Sequence, residues 1–242
     1  MKKAALTMTV IFALASAVSC GNKTATIEPI EITAEEAHTV DDYKPIETEP
    51  VTVTTTEAVT EEATEFADAG EGTNFKSGTV NGKVYTSEYA GFKVTFPEDT
   101  ALNDRAENEK ELKKMWSTLD ERSKQEQGLH ITDLVANSTD TTYVFQYSNT
   151  KLMYPEKENV TVEEFMEDRI EFNETEDIKV SAPEKITISG TEYTKETIVL
   201  EQLSLELVYY ARKIDDDFIL VINSQGEAGF DHTILEKAIE AI

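Results

Sequence analysis

Apolar residues are distributed unevenly along this chain of 242 residues, and their distribution decides which part of it can fold. Between residues 21 and 74 the only aromatic residues are Tyr43 and Phe66, and two lysines stand against fourteen acidic residues. A segment so poor in apolar side chains and so rich in like charges cannot bury enough surface to offset the entropy lost on folding. The sequence therefore predicts a disordered acidic tether at residues 20–74 and one folded domain at residues 75–242.

The tether contains one β-prone run, Val51–Thr56, and a strand there is the alternative to disorder. Disorder is favoured because those β-branched residues have no neighbouring strand with which to pair. A flexible coil of this length spans roughly 40 Å from end to end, and repulsion between its carboxylates extends it further. We therefore expect the tether to separate the folded domain from whatever holds the N-terminus.

The N-terminus carries two lysines and then an apolar run at residues 4–15, which closes on small side chains before Cys20. A run of about 12 residues is too short to cross a bilayer core, which requires about 20. It is typical of a cleaved signal peptide, predicted here at residues 1–19. The ending Ala17-Val-Ser-Cys-Gly21 resembles the lipobox of bacterial lipoprotein precursors, over about 21 residues.

This resemblance implies that the Cys20 thiol receives a diacylglyceryl group, that the chain is cut before it, and that the new N-terminus is often acylated too. Cys20 is thus the predicted lipid-attachment residue, carrying fatty acids such as palmitate at the extracytoplasmic face of the cell membrane. Ala17 stands where the family more often has leucine or valine, which leaves an ordinary secretory cut as the alternative. With a single cysteine, the chain has no disulfide framework and no cysteine-based zinc site.

The charge of the chain narrows the possible partners. Lys2 and Lys3 leave with the predicted signal peptide, so 20 of the 22 basic residues remain against 48 acidic ones, a formal charge of −28. Phosphate-bearing partners need a basic face, so we expect no nucleic acid, and an anionic bilayer repels this chain as well. Membrane attachment must therefore come from the lipid, for which two acyl chains are sufficient where one is marginal.

The domain shows the alternating and helical periodicities of an α+β fold. Thr161-Val-Glu-Glu164 has the spacing of a capping box, and Ser189-Gly190 and Asp215–Asp217 have turn composition. Short strands joined by tight turns pair antiparallel. We predict a central antiparallel sheet packed with about three helices. The strands are expected at 91–97, 130–136, 141–148, 178–188, 193–200, 203–212 and 218–223, and the helices at 107–127, from Thr161 and from Asp231.

The stretch Tyr85-Thr-Ser-Glu-Tyr-Ala-Gly-Phe-Lys-Val-Thr-Phe-Pro97 and the order of elements after it resemble the PsbP/Mog1-like fold, which includes lipoproteins of Gram-positive bacteria. That family opens with a strand bearing a Gly-Phe-x-x-x-x-Pro pattern, continues with a helix and closes its antiparallel sheet with a C-terminal helix. The resemblance covers the whole domain from about Val80, and its motif is structural. It implies a role in assembling or regulating other proteins, and it transfers no functional residue.

The sequence contains few of the residue patterns on which enzymes depend. The three histidines are His38, in the tether, His130, at a strand start, and His232, in the first turn of a helix, and no nucleophile elbow, phosphate-binding loop or paired-histidine motif accompanies them. We therefore predict no catalytic residue and no cofactor. The last two histidines are interpreted as surface or packing residues.

Carboxylates are abundant, which lowers the information in any one pair. Glu163-Glu164, Glu167-Asp168 and Glu171 fit the solvated face of a helix, and Asp215–Asp217 fits a turn better than a calcium loop, because the spacing and terminal glutamate of an EF-hand are missing. We therefore predict no metal site.

Aromatic residues in the strands indicate a different kind of surface. Alternation places Tyr210 on the opposite face of its strand from Leu207 and Tyr209. If helices cover only one side of the sheet, Tyr210, together with Tyr147 or Val144, forms an open platform for a partner, although packing under loops is the simpler reading. Tyr210 is the candidate partner-binding residue.

Three functions follow from these patterns. The first is a surface-tethered, non-catalytic module that binds an exported protein or an envelope component. The second is a small-ligand or cation-binding accessory lipoprotein, and the third is a hydrolase without a recognisable motif. A shallow sheet surface rimmed by charge favours the first, a pocket with convergent polar groups the second, and a cleft with pKa-shifted carboxylates the third.

Overall fold

The structure, a computed structural model, describes residues 68–169 and 177–242, with Arg169 represented by its backbone alone. The predicted signal peptide, Cys20, His38 and most of the predicted tether lie outside the described residues, as does Glu171.

Twelve strands and five α-helices are present in the described part of the chain. The strands are β1 (Thr79–Asn81), β2 (Val84–Ser87), β3 (Phe92–Thr95), β4 (Ala101–Asp104), β5 (His130–Asn137), β6 (Thr141–Asn149), β7 (Ile178–Val180), β8 (Glu184–Ile188), β9 (Thr191–Leu200), β10 (Leu205–Lys213), β11 (Phe218–Glu227) and β12 (Ile239–Ala241). The helices are α1 (Arg105–Met115), α2 (Glu121–Gln127), α3 (Thr150–Met153), α4 (Val162–Arg169) and α5 (Thr233–Ala238).

These strands form two antiparallel sheets. The small sheet has the order β1-β2-β3-β12, and the large sheet has the order β4-β5-β6-β11-β10-β9-β7, with β8 also paired to β9. The α+β class, the antiparallel pairing and about three substantial helices are confirmed. The sequence did not predict the small sheet as a separate layer, because its strands are only three or four residues long.

The centre of the large sheet is apolar on both faces. On one face, Phe145, Ile222 and Tyr210 are register partners on β6, β11 and β10, and they pack in one core with Tyr85 and Phe92 of the small sheet. We call this the sheet-packed face. The opposite, helix-packed face contributes a second core, in which Leu207, Ala211, Ile219 and Val221 join Phe165 and Met166 of α4. The large sheet therefore lies between two layers, the small sheet on one face and α4 on the other.

Local signals explain where the helices begin. The Thr161 hydroxyl accepts from the backbone N–H of Glu164, and the Glu164 carboxylate accepts from the backbone N–H of Thr161, so the predicted capping box is confirmed. The single helix predicted at 107–127 is wrong, since a 3₁₀ turn at Trp116–Thr118 divides it into α1 and α2. Asp120 starts α2 by accepting a hydrogen bond from the backbone N–H of Ser123.

One strand prediction also needs correction. The strand expected at 178–188 is two strands, β7 and β8, because Pro183 lies between them and lacks the N–H that a continuous ladder needs. The other predicted strands are confirmed within a few residues at their ends. The turn at Ser189-Gly190 is confirmed, with positive φ at both residues, as a tight hairpin requires.

The packed region begins earlier than Phe75, the predicted start of the domain. Ala69 is only 1% exposed, and its carbonyl accepts a 2.7 Å hydrogen bond from the buried Asn149 side chain. Arg105 Nη2 donates to both carboxylate oxygens of Asp68, with both distances 2.9 Å. The segment from Asp68 to residue 74 is therefore part of the fold and not part of the tether.

Two truncations separate the tether from this packed segment. Removing residues 21–67 should leave the free energy of unfolding nearly unchanged, because a segment so acidic and so poor in apolar residues cannot form a core. Removing residues 21–74 should lower it by about 2 kcal/mol, because the buried Asn149 amide then loses its acceptor. Urea unfolding of both chains measures the difference, and equal stabilities would show that residues 68–74 contribute nothing to the fold.

Candidate functional site

The open platform predicted around Tyr210 does not exist. Tyr210 is 0% exposed because the side of the large sheet that it occupies is covered by the small sheet. Its hydroxyl donates to Glu236 Oε1 at 2.9 Å. Tyr147 is equally buried on that face, and Val144 is buried on the opposite one. The prediction failed because alternation shows which residues share a face and not what covers it.

The predicted packing role of His232 is confirmed. His232 is buried, its Nδ1 lies 2.7 Å from Ser224 Oγ, and its Nε2 lies 3.9 Å from Glu206 Oε1. Burial lowers the pKa of His232. These three residue types resemble a hydrolytic set, but Ser224 is 0% exposed, so its hydroxyl is not open to a substrate. His130 is likewise packed in the fold, with Nδ1 2.9 Å from Ser148 Oγ.

The acidic clusters singled out from the sequence serve local structure. Asp215 Oδ1 accepts from the backbone N–H groups of Asp217 and Phe218, which confirms the turn. Glu163 pairs with Lys185 at the surface. Among the residues that the structure describes, no group of three or more histidine, cysteine or acidic side chains is placed to hold a metal ion.

One buried carboxylate clamps the start of the domain onto the large sheet. Asp133 lies at a β-bulge in β5, and its Oδ2 accepts from the Tyr85 hydroxyl at 2.6 Å and from the Gly78 backbone N–H at 2.7 Å. A Cβ atom on Gly78 would lie 2.3 Å from the Tyr85 ring, so only glycine allows this approach. Asp133 therefore has a structural role.

A different set of polar side chains crosses the helix-packed face. Asn223 on β11 pairs with Tyr209 on β10, and Tyr209 pairs with Glu196 on β9. Residues paired across antiparallel strands project from the same face, so these three side chains stand side by side. We call Glu196, Tyr209 and Asn223 the polar row. It continues on β6 with Val144, the partner of Asn223.

Asn223 is the most unusual member of the polar row. Asn223 is only 2% exposed. Within the described structure, neither its amide nitrogen nor its amide oxygen has a hydrogen-bond partner. Leaving such a group buried without a partner costs about 1–3 kcal/mol. Most buried polar groups in folded proteins are paired, so this amide requires an explanation beyond packing.

Glu196 is the second unpaired group. It is 6% exposed, and the described part of the chain supplies it with neither a hydrogen bond nor an ion pair. Burial raises the pKa of Glu196 to about 7. The neighbouring lysines serve other groups: Lys185 reaches Thr194 Oγ1 at 3.0 Å, and Lys195 pairs with Glu236 at 3.1 Å.

The sequence prediction missed the polar row, although a signal was present. Asn223 is in phase with Ile219 and Val221, and Glu196 is in phase with Ile198 and Leu200, so both polar residues occupy positions that alternation assigns to a core. A polar residue in such a position is a candidate functional residue. The chemistry that the row offers is hydrogen bonding and charge pairing.

Comparison with known proteins adds no identification. No protein-family model matches the chain, and no curated protein sequence matches it either. In the described ranges, the helices are all too short or too polar to span a membrane.

Tyr210 provides a direct test of the closed sheet-packed face. Tyr210→Ala should lower the free energy of unfolding by about 3 to 5 kcal/mol, because it leaves a large cavity in the core. The matched variant Tyr210→Phe removes only the hydroxyl bonded to Glu236 and should cost about 1 kcal/mol. Urea unfolding measures both losses of stability. A loss well below about 3 kcal/mol for Tyr210→Ala would indicate that the Tyr210 ring is exposed.

Glu196 makes the stability depend on pH. Its pKa is about 7 in the folded protein against an ordinary value of 4.5, so between these values the folded state keeps a proton that the unfolded state has lost. Stability from this source is complete below pH 4.5 and is lost as the pH rises through 7. Glu196→Gln should therefore gain stability over the parent protein by up to about 3 kcal/mol between pH 4 and pH 8.

Urea unfolding of the two proteins across this pH interval measures that gain. The contribution of His232 is common to both proteins and cancels in the difference. A difference in stability that stays constant with pH would mean that Glu196 is ionised and solvated in the folded state.

Proposed function

We propose that this protein is a lipid-anchored, non-catalytic binding protein at the extracytoplasmic face of the cell membrane. Anchoring is supported by the apolar run that ends in Ala17-Val-Ser-Cys20, which has the order of a signal peptide and a lipobox. The acidic tether then places the domain away from the lipid headgroups.

The resemblance to the PsbP/Mog1-like fold supports a role in binding. Gly91 directly precedes β3, which begins at Phe92 and is followed by Pro97. Strand β4 then leads into α1, and α5 lies near the C-terminus, just before β12. A helix after the opening strand and a helix near the C-terminus are two features that the resemblance implies. The roles known in that family lie in assisting other proteins, and not in catalysis.

The observation that carries the binding role is the polar row. In the described structure both amide atoms of Asn223 are buried without partners, and Glu196, which is 6% exposed, has neither a hydrogen bond nor an ion pair, whereas the Tyr210 hydroxyl is hydrogen-bonded. Unpaired groups of this kind are the ones that a bound molecule can pair. This favours the small-ligand alternative over a protein-interaction platform, because the aromatic ring that was to carry the platform is buried.

The anchor is tested by changing one residue. In cells fed a clickable fatty acid, the parent protein and the matched variant Ser19→Ala should both become labelled, whereas Cys20→Ala should not, because the thiol is the atom that is acylated. Fractionation should find the parent with the membrane and Cys20→Ala either uncleaved or in the medium. Label that persists in Cys20→Ala would overturn the assignment of the anchor.

A further inference from the structure

The polar row presents two different kinds of unmet hydrogen bonding. The Asn223 carboxamide offers a donor and an acceptor next to each other, and neither is used within the described structure. A group that satisfies both at once must itself present an acceptor and a donor side by side. A peptide amide has this arrangement, whereas a simple cation or a hydrocarbon does not.

Glu196 defines the other end of the row. A buried carboxyl group without a partner is best satisfied by a cationic nitrogen, which both neutralises its charge and donates hydrogen bonds. The protein as a whole has a formal net charge of −26, so its field attracts cations and repels anions. The ligand that suits this end carries an ammonium or guanidinium group.

The spacing of the two ends sets the size of the ligand. Asn223 and Glu196 lie two strands apart, on either side of Tyr209. Adjacent strands are about 4.8 Å apart, so the two backbones are separated by about 10 Å. This distance corresponds to about three residues of extended peptide.

We propose that the polar row of Glu196, Tyr209 and Asn223 binds a short basic peptide, with a peptide amide at Asn223 and a lysine or arginine side chain at Glu196. The site deepens the binding role proposed above and rests on it. Helix α4 packs over β10 through Phe165 and Met166, so the peptide reaches the row when α4 moves away from β10.

Three tripeptides test this proposal against the chain from residue 20 onward, with Cys20→Ser to prevent acylation. They are acetyl-Gly-Lys-Gly-amide, its uncharged analogue with norleucine, and its anionic analogue with glutamate. In a titration followed by amide NMR, the lysine peptide should give saturable shifts at Glu196, Tyr209 and Asn223. The norleucine peptide should bind at least tenfold more weakly, and the glutamate peptide should give no saturable shift.

Variants assign the two ends of the row. Glu196→Gln should weaken the lysine peptide at least tenfold and leave the norleucine peptide unchanged, whereas Asn223→Leu should weaken both. Glu184→Gln, at a neighbouring exposed carboxylate, is the matched control and should bind as the parent does. If Asn223→Leu does not fold, which its amide spectrum shows, Glu196→Gln decides alone.

The proposal is overturned if the lysine peptide gives no saturable shift at the row, if the three peptides bind equally, or if Glu196→Gln has no effect. A row occupied by ordered water alone gives the first of these results. The outcome is independent of the anchor, because the titrated chain carries no lipid. If the peptides do not bind but Cys20 is labelled normally in cells, the peptide proposal is wrong and the proposed membrane anchor still holds.

Discussion

The structure depends on three central strands of the large sheet, two of which, β10 and β11, contribute apolar side chains to the cores on both faces. Strands β6, β11 and β10 bury side chains toward the small sheet, and β11 and β10 also bury them toward α4. A sheet with one apolar face is satisfied by one cover, but this sheet requires two, since exposed aromatic and branched side chains would otherwise remain in water. The small sheet and the helices are therefore both necessary for the fold, although the strands of the small sheet are short.

Polar side chains are buried on both faces of the large sheet. Near the small sheet, Asp133 Oδ2 accepts from Tyr85 of β2 and the Tyr210 hydroxyl donates to Glu236 of α5, while Asp133 Oδ1 has no partner in the described structure. Under the helices, Asn223 and Glu196 have none in the described structure. An unmet polar group lowers stability without helping the fold, so a bound molecule that pairs with Asn223 and Glu196 would remove that cost. The binding role proposed for the helix-packed face rests on these two side chains.

Local sequence signals predicted the elements that depend on neighbouring residues. The capping box at Thr161 and the turn at Ser189-Gly190 are present because each is formed within a few residues. The same kind of reasoning failed at Trp116, where helical spacing continued but Asp120 started a new helix. It also failed at the N-terminal boundary, because Ala69 is held by Asn149, a residue 80 positions away. Contacts of that range leave no local pattern.

The sequence by itself determined most of the long strands, the turns between them and which of their side chains share a face, because these follow from the alternation of backbone geometry. It also contained the apolar run before Cys20 on which the proposed location rests. Only the tertiary structure decided that Tyr210 is core and that Asn223 and Glu196 are buried with no partner among the described residues. The physical reason is that burial depends on the layer packed against a face, and that layer comes from residues distant in the chain.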